Sequence, residues 1–318
     1  MSFKVVVTDY WYPNLNPELK VFKNYDIELV DCKGTIKTED QLIDVTKDAD
    51  AVIVQFCKMT KRVIDNLVRC KLIIRYAIGV DVIDVEAATE KKIMIANVPD
   101  YCIDEVSNHA IALILSLTRK VNYMDRQVRS GNVKFELAIP IKRNLLNTLG
   151  IVGYGRIGEA VAKKLKGFNF KRIIYFDPYK NNNKYAEKVD FDTLLAESDI
   201  ITLHAPATDK TYNMFNREVF KKMKYGAYIV NTSRGALIDE EALEWALSQK
   251  LLAGAGLDVF HSEGFEGKQR FFPFKNVVLT PHIAWYSEQS FEELQRKVAE
   301  QVVESLYKGK PRNWINPF

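Results

Sequence analysis

Short runs of apolar, mostly β-branched residues alternate along the chain with stretches whose apolar positions recur at helical spacing. Runs at Phe3–Thr8, Ala51–Gln55, Leu72–Tyr76, Met94–Asn97, Thr148–Val152, Arg172–Phe176, Ile200–Leu203, Tyr228–Asn231, Ala253–Leu257 and Val277–Thr280 read as strands. Strands this apolar need cover on both faces, and the helical segments between them supply it, so the pattern predicts βαβ units with buried parallel sheets. Between Asp104 and Lys120 a long apolar helical pattern predicts a helix that passes between two domains. Near the end, Leu294, Val298, Val302 and Leu306 recur every four residues. Ser290 with Glu293 predicts a capping box for that helix, and Gly309 and Pro311 its stop. A helix placed so late must dock on something already built, which predicts that the C-terminus returns to the first domain.

A chain of 318 residues, 47% hydrophobic and 27% charged, is too long for one ordinary core and has enough apolar side chains for two. Its net charge of +4 comes from 45 basic and 41 acidic residues scattered along the chain, which argues against nucleic-acid or membrane binding. No apolar run reaches the roughly 18 residues of a membrane span, and the start MSFKVVVTDYW lacks the apolar stretch and cleavage site of a signal peptide. Cys32, Cys57, Cys70 and Cys102 stand singly, without a C-x-x-C pair. They read as reduced thiols rather than a disulfide or zinc framework, so a cytoplasmic protein without a metal is expected.

The sharpest local pattern is TLGIVGYGRIG, which carries G-x-G-x-x-G at Gly153, Gly155 and Gly158. The three glycines respectively allow a tight turn, let the backbone approach a pyrophosphate, and permit close helix–strand packing. The helix that opens near Arg156 then points free N–H groups and the positive end of its dipole at phosphates. Nineteen residues after Gly158, the strand RIIYF ends at Asp177. An acid there suits ribose hydroxyls and repels a 2′-phosphate, so NAD is expected over NADP.

Four histidines are candidates for acid–base work. His109 lies mid-helix among apolar residues and reads as a packed structural histidine, and His261 as a solvated loop histidine. His204 ends the strand IITLH before Pro206 and is a cofactor-pocket candidate. His282 follows an apolar strand and Pro281, where open α/β sheets bind ligands beyond their carboxyl ends. Arg234 follows the strand in YIVNTSRGALID, placed to grip a carboxylate bidentately. Glu263 lies five residues after Asp258, and a carboxylate touching the imidazole would orient it and favour its protonated form. Asp258, at a strand end, is expected to accept from the nicotinamide carboxamide. Trp285, three residues past His282, is expected to wall the substrate pocket.

At these residues the sequence resembles the D-isomer-specific 2-hydroxyacid dehydrogenase family, through RYAIGVDVIDVEAATEKKI, NVPDYCIDEV, TLGIVGYGRIG, LHAPATDKT, NTSRGALIDEEAL and TPHIAWYSE, all in the family's order. PHIAWYSEQS looks most like the branch of C-terminal binding proteins and their bacterial relatives. The resemblance implies a Rossmann NAD-binding domain (residues 100–286) inserted into a discontinuous flavodoxin-like substrate domain (1–99 and 287–318), with the active site in the cleft. It implies hydride transfer between NAD(H) and a 2-oxo acid/D-2-hydroxy acid pair, with Arg234, Glu263 and His282 catalytic. It further implies backbone amides of Ile78 and Gly79 on the substrate carboxylate, with Arg75 nearby. Gly155, Arg156, Ile157, Asp177, His204, Pro206, Thr211, Thr232 and Asp258 would line the NAD site. A homodimer through the Rossmann domains and the long helix after Tyr101 is also implied.

Two positions depart from the family pattern: Gly264 replaces the usual proline after the glutamate, and Asn147 the usual glycine before the first Rossmann strand. Glu263 argues against formate dehydrogenases, which resemble this pattern with glutamine there. Ile78 argues against phosphonate-oxidising relatives, which place a lysine there. An NAD(H)-sensing corepressor-like scaffold and a short 3-phosphoglycerate dehydrogenase are the alternatives.

Overall fold

The computed structural model describes residues 2–181 and 184–318. The chain forms two compact units, one made of the residues up to Cys102 together with Ser287–Phe318, the other of Ile103–Tyr286. Each is a parallel α/β sheet.

In the first unit, β1 (Phe3–Val7), β2 (Ile27–Asp31), β3 (Ala51–Val54), β4 (Leu72–Arg75) and β5 (Met94–Ala96) lie in the order β2-β1-β3-β4-β5. β3 is buried throughout, as its unbroken AVIV run requires. β2 escapes the sequence pattern because Glu28 and Asp31 interrupt it; at the sheet edge it needs less cover. The helix Glu288–Lys308 packs on β3, β4 and the helix Asn16–Phe22, with Leu294, Val298, Val302 and Leu306 buried. Its cap differs from the expected Ser290/Glu293 box. Ser287 is the N-cap, accepting from the Ser290 amide at 2.9 Å, while Ser290 Oγ accepts from the Ser287 amide at 2.9 Å. A serine at the third helical position thus does what a glutamate was expected to do.

In the second unit, β6 (Thr148–Val152), β7 (Arg172–Phe176), β8 (Glu187–Lys188), β9 (Ile200–Leu203), β10 (Ala227–Asn231), β11 (Leu252–Leu257) and β12 (Val277–Leu279) follow the order β12-β11-β10-β9-β6-β7-β8. The order reverses between β6 and β9, which makes this a doubly wound Rossmann sheet with its switch point there. The helix Ile103–Thr118 belongs to the second unit. It packs on β10, β11, β12 and the helix Arg156–Leu165, all within the second unit.

Three of these strands are aligned at their carboxyl ends, since Asn231 pairs in register with Leu257, and Leu257 with Leu279. Side chains a few residues beyond these three therefore leave the sheet at one edge.

Candidate active site

At that edge the chain places Arg234 three residues past Asn231, Glu263 six past Leu257 and His282 three past Leu279. The turn after β10 and the loop after β11 touch through backbone, because a Cβ on Gly235 would lie 2.0 Å from the carbonyl carbon of Phe260. The Glu263 carboxylate spans the next gap: its Oε1 accepts from the Phe260 amide at 3.3 Å and lies 3.2 Å from His282 Nδ1.

A carboxylate only accepts, so this contact puts the imidazole proton on Nδ1 and leaves Nε2 for a ligand atom. Burial opposes ionisation of Glu263, but the hydrogen bond and charge of His282, the Phe260 amide and Lys268 outweigh it and hold the carboxyl below its usual range. Both side chains remain partly open, at 42% and 46% exposure, so an external ligand can reach the pair.

His282 adopts a left-handed backbone with φ 57°. Such a conformation costs a non-glycine residue about 1–2 kcal/mol and persists only where its surroundings impose it. Here both of its backbone polar groups are held, the amide by the Asp258 carbonyl at 2.8 Å and the carbonyl by the Trp285 indole N–H at 2.9 Å. Trp285, expected as a pocket wall, also ties down the His282 carbonyl through its indole N–H, and its ring packs edge-on against Tyr286.

Asp258, expected to accept from the nicotinamide carboxamide, is tied into the same loop. It has no exposed surface, and its carboxylate is spent on the His282 loop: Oδ1 accepts from Thr280 Oγ1 at 2.6 Å and the Ile283 amide at 3.0 Å, Oδ2 from the Ala284 amide at 3.0 Å. Three of its lone pairs are engaged before any nicotinamide arrives. His109 joins this network at 3.0 Å from Thr280 Oγ1. With the Thr280 proton given to Asp258, His109 must carry its own proton on Nε2. The parts played by Thr280 and His109 escape the sequence pattern, because the contact links positions 171 residues apart.

The Gly264 departure is accommodated by Lys268, whose Nζ donates to the Glu263 carbonyl at 2.5 Å. Gly264 has φ −70°, a proline value, and a Cβ there would meet only Ser262 Oγ at 3.8 Å. Gly264→Pro is therefore expected to stabilise the protein by about 0.4–1 kcal/mol without loss of activity. A lower denaturation midpoint would show that the loop needs the glycine.

The glycine motif sits at the switch point. Gly153 has φ +87°, and its Cβ would lie 2.5 Å from the Ala205 nitrogen; that of Gly158 would lie 2.2 Å from the Gly153 carbonyl oxygen. Around Gly155, in contrast, a Cβ would meet nothing within 4 Å, and this glycine provides no side-chain cap for the helix Arg156–Leu165. The amides of Arg156 and Ile157 in the first turn meet no acceptor among the described residues, which fits a pyrophosphate.

Asp177 accepts from the amides of Tyr154, Tyr179 and Lys180 at 2.8, 2.8 and 3.0 Å, leaving one lone pair of Oδ2 for a ribose hydroxyl. The Thr232 hydroxyl is buried without a partner. Thr211 instead closes its own loop on the Pro206 carbonyl at 2.7 Å.

His204 Nε2 meets Thr202 Oγ1 at 3.0 Å, while Nδ1 is enclosed without a partner. Part of the residue touches solvent, but burial of the ring pushes its pKa down to about 3. The native state then stays unprotonated at pH values where an unfolded histidine, near 6.5, takes up a proton. Stability from this source is present above pH ~6.5 and lost as pH falls toward 3, at up to ~1.4 kcal/mol per unit. His204→Asn is expected to flatten that acid limb in denaturant titrations, and an unchanged limb would contradict the assignment.

In the first unit, Arg75 is tied to its own loop. Its guanidinium donates to the carbonyls of Gln55 and Gly79 and to Asp81, each at 3.0 Å. Asn97 Nδ2 donates to the Ile78 carbonyl at 2.5 Å. The carbonyls of Ile78 and Gly79 thus each have a partner, while the amides of Ile78 and Gly79 meet no acceptor among the described residues. Those amides are donors suited to a carboxylate.

The family model described as D-isomer specific 2-hydroxyacid dehydrogenase, NAD binding domain, matches residues 111–284. The chain belongs to that family. It is 40% identical over 290 residues to a glyoxylate reductase of Thermococcus litoralis, covering 86% of each. With a hydroxypyruvate reductase of Thermotoga maritima it shares 40% over 275 residues, covering 85% of this chain and 88% of that one. The structure of a D-lactate dehydrogenase from Aquifex aeolicus, complexed with NAD and lactic acid, superposes with a TM-score of 0.87 at 28% identity, covering 99% of both. The chain is thus an NAD(H)-dependent oxidoreductase of 2-oxo acids and 2-hydroxy acids. Among the described residues no helix is long and apolar enough to cross a membrane, and no group of three His, Cys, Asp or Glu side chains is gathered as a metal site.

Proposed function

We propose that this enzyme reduces short 2-oxo acids of the glyoxylate and hydroxypyruvate kind to D-2-hydroxy acids, with His282 as proton donor, Glu263 as the carboxylate that orients it and Arg234 as the group that holds the substrate carboxylate. The observation that carries this reading is the His282–Glu263 pair at the carboxyl edge of the sheet, 3.2 Å apart, with Nε2 left for the substrate. The bound nicotinamide supplies the hydride. His282 passes its Nε2 proton to the oxygen that becomes the hydroxyl, and Glu263 stabilises the charged imidazole before transfer. Arg234 offers a planar pair of donors that draws electron density from the adjacent carbonyl. The amides of Ile78 and Gly79 supply further donors to the carboxylate.

A panel of glyoxylate, hydroxypyruvate, pyruvate, phosphohydroxypyruvate and larger aliphatic oxo acids, followed by NADH oxidation, tests the substrate class. Turnover confined to phosphohydroxypyruvate would replace this reading with 3-phosphoglycerate chemistry. Because Trp285 braces the His282 carbonyl, Trp285→Ala is expected to lower kcat for every oxo acid alike. A changed preference among them would return it to the pocket wall.

The PHIAWYSEQS segment, which resembles the C-terminal binding protein branch, favours an NAD(H)-sensing scaffold as second reading; NADH binding without turnover of any oxo acid is its signature. A cytoplasmic homodimer completes the proposal. The four cysteines are free, three of them buried. Val121, Val128, Val133, Phe135, Ile139, Leu145 and Leu146 are all more than half exposed in one stretch of chain, apolar surface that a second copy would cover. Light scattering gives the mass directly.

A further inference from the structure

The carboxyl ends of β4 and β5 lie side by side, since Ile74 pairs in register with Ala96. Just beyond them, the loop at Ala77–Gly79 and the segment Asn97–Val98 meet through two hydrogen bonds. The Val98 amide donates to the Ala77 carbonyl at 3.0 Å, and Asn97 Nδ2 donates to the Ile78 carbonyl at 2.5 Å. In a trans peptide the carbonyl and the N–H of one unit point in opposite directions, and both peptides here are trans. Their carbonyls are turned toward Asn97–Val98. The amides that share those units, Ile78 N–H and Gly79 N–H, are therefore both turned away from it. Two consecutive amides aimed to one side form an anion-binding nest, and these two meet no acceptor among the described residues.

The two bonds differ in kind. The Val98 bond is backbone to backbone, and any residue but proline there supplies the donor. The bond to Ile78 depends on the Asn97 side chain, which reaches its acceptor because its own backbone is fixed. The Asn97 carbonyl accepts from Gln301 Nε2 at 2.9 Å. Gln301 is fully buried on the helix Glu288–Lys308, and its Oε1 accepts from the Asn313 amide at 2.9 Å. Donation to the Ile78 carbonyl also polarises the Ile78–Gly79 peptide, which strengthens Gly79 N–H as a donor.

We propose that Asn97 is a positioning residue for the substrate carboxylate. It does not touch the substrate but fixes the peptide whose Gly79 amide does. This inference rests on the reading that the amides of Ile78 and Gly79 receive the carboxylate.

Steady-state kinetics with glyoxylate and with methyl glyoxylate, the same carbonyl without the charge, test it in two variants. Asn97→Ala removes the donor, and Asn97→Asp removes it while keeping the size. Asn97→Ala is expected to raise KM for glyoxylate roughly tenfold, as loss of about one hydrogen bond to a charged group does, with kcat nearly unchanged. Asn97→Asp sets an acceptor against the Ile78 carbonyl and should raise KM further. Neither variant should alter KM for the ester, so the preference for acid over ester falls by the same factor. A loosened fold would instead weaken acid and ester alike, and NADH affinity with them. Equal losses for acid and ester, or a preference kept whole in both variants, would overturn the assignment of Asn97. An unsubstituted enzyme with no preference for the acid would overturn the carboxylate site itself, and the role of Asn97 with it.

Discussion

His282→Ala is expected to lower kcat for oxo acid reduction by roughly 10²–10⁴-fold, the usual worth of general acid–base catalysis. The dissociation constant for NADH should stay nearly unchanged, because the glycine motif and Asp177 lie at the ends of β6 and β7 while His282 follows β12. Steady-state kinetics with fluorescence titration of NADH separate the two quantities, and retention of full kcat would end the assignment. The direction of the Glu263 shift sets the pH behaviour. Its carboxyl is held below the usual range, so it stays ionised as pH falls from neutral toward ~4.3. The orienting charge is present above that range and disappears only when pH passes below the lowered folded value. Acid loss of activity beginning well above it must come from another group.

The second large effect belongs to a residue whose side chain serves the protein rather than the substrate. Asp258→Ala strands the Thr280 hydroxyl and the amides of Ile283 and Ala284 around a fully buried position. Each unsatisfied buried group costs about 1–3 kcal/mol. Their combined loss should exceed the roughly 0.5–3 kcal/mol typical of single substitutions. Denaturant unfolding measures it, and a shift below about 1 kcal/mol would show that water or rearrangement satisfies these groups. The same variant should lose turnover beyond its lost stability, because the Asp258 backbone and side chain together position the His282 loop.

Much of the fold is legible in the amino-acid sequence. Strands buried on both faces announce themselves as unbroken apolar runs, so β3, β6 and β9 stand out, whereas the edge strand β2 hides behind its charges. The glycine motif is legible because each glycine answers a distinct steric demand. Arg234, Glu263 and His282 stand out as residues just past strand ends, but sequence cannot say which neighbour takes which hydrogen bond. Asp258, Trp285 and Arg75 read from sequence as facing ligands, and the sequence does not reveal that each also holds a loop. Polar side chains at a ligand edge divide between those that meet the ligand and those that brace them, and only their hydrogen-bond partners tell the two apart.

The left-handed backbone at His282 also constrains how this chain can change. Most side chains placed at φ 57° keep the strain and lose the imidazole, whereas asparagine and glycine tolerate that conformation. A descendant that kept its cofactor and gave up turnover would find those two residues the least disruptive exits. The same geometry that aims the acid thus narrows the routes by which a lineage could abandon chemistry for pure binding.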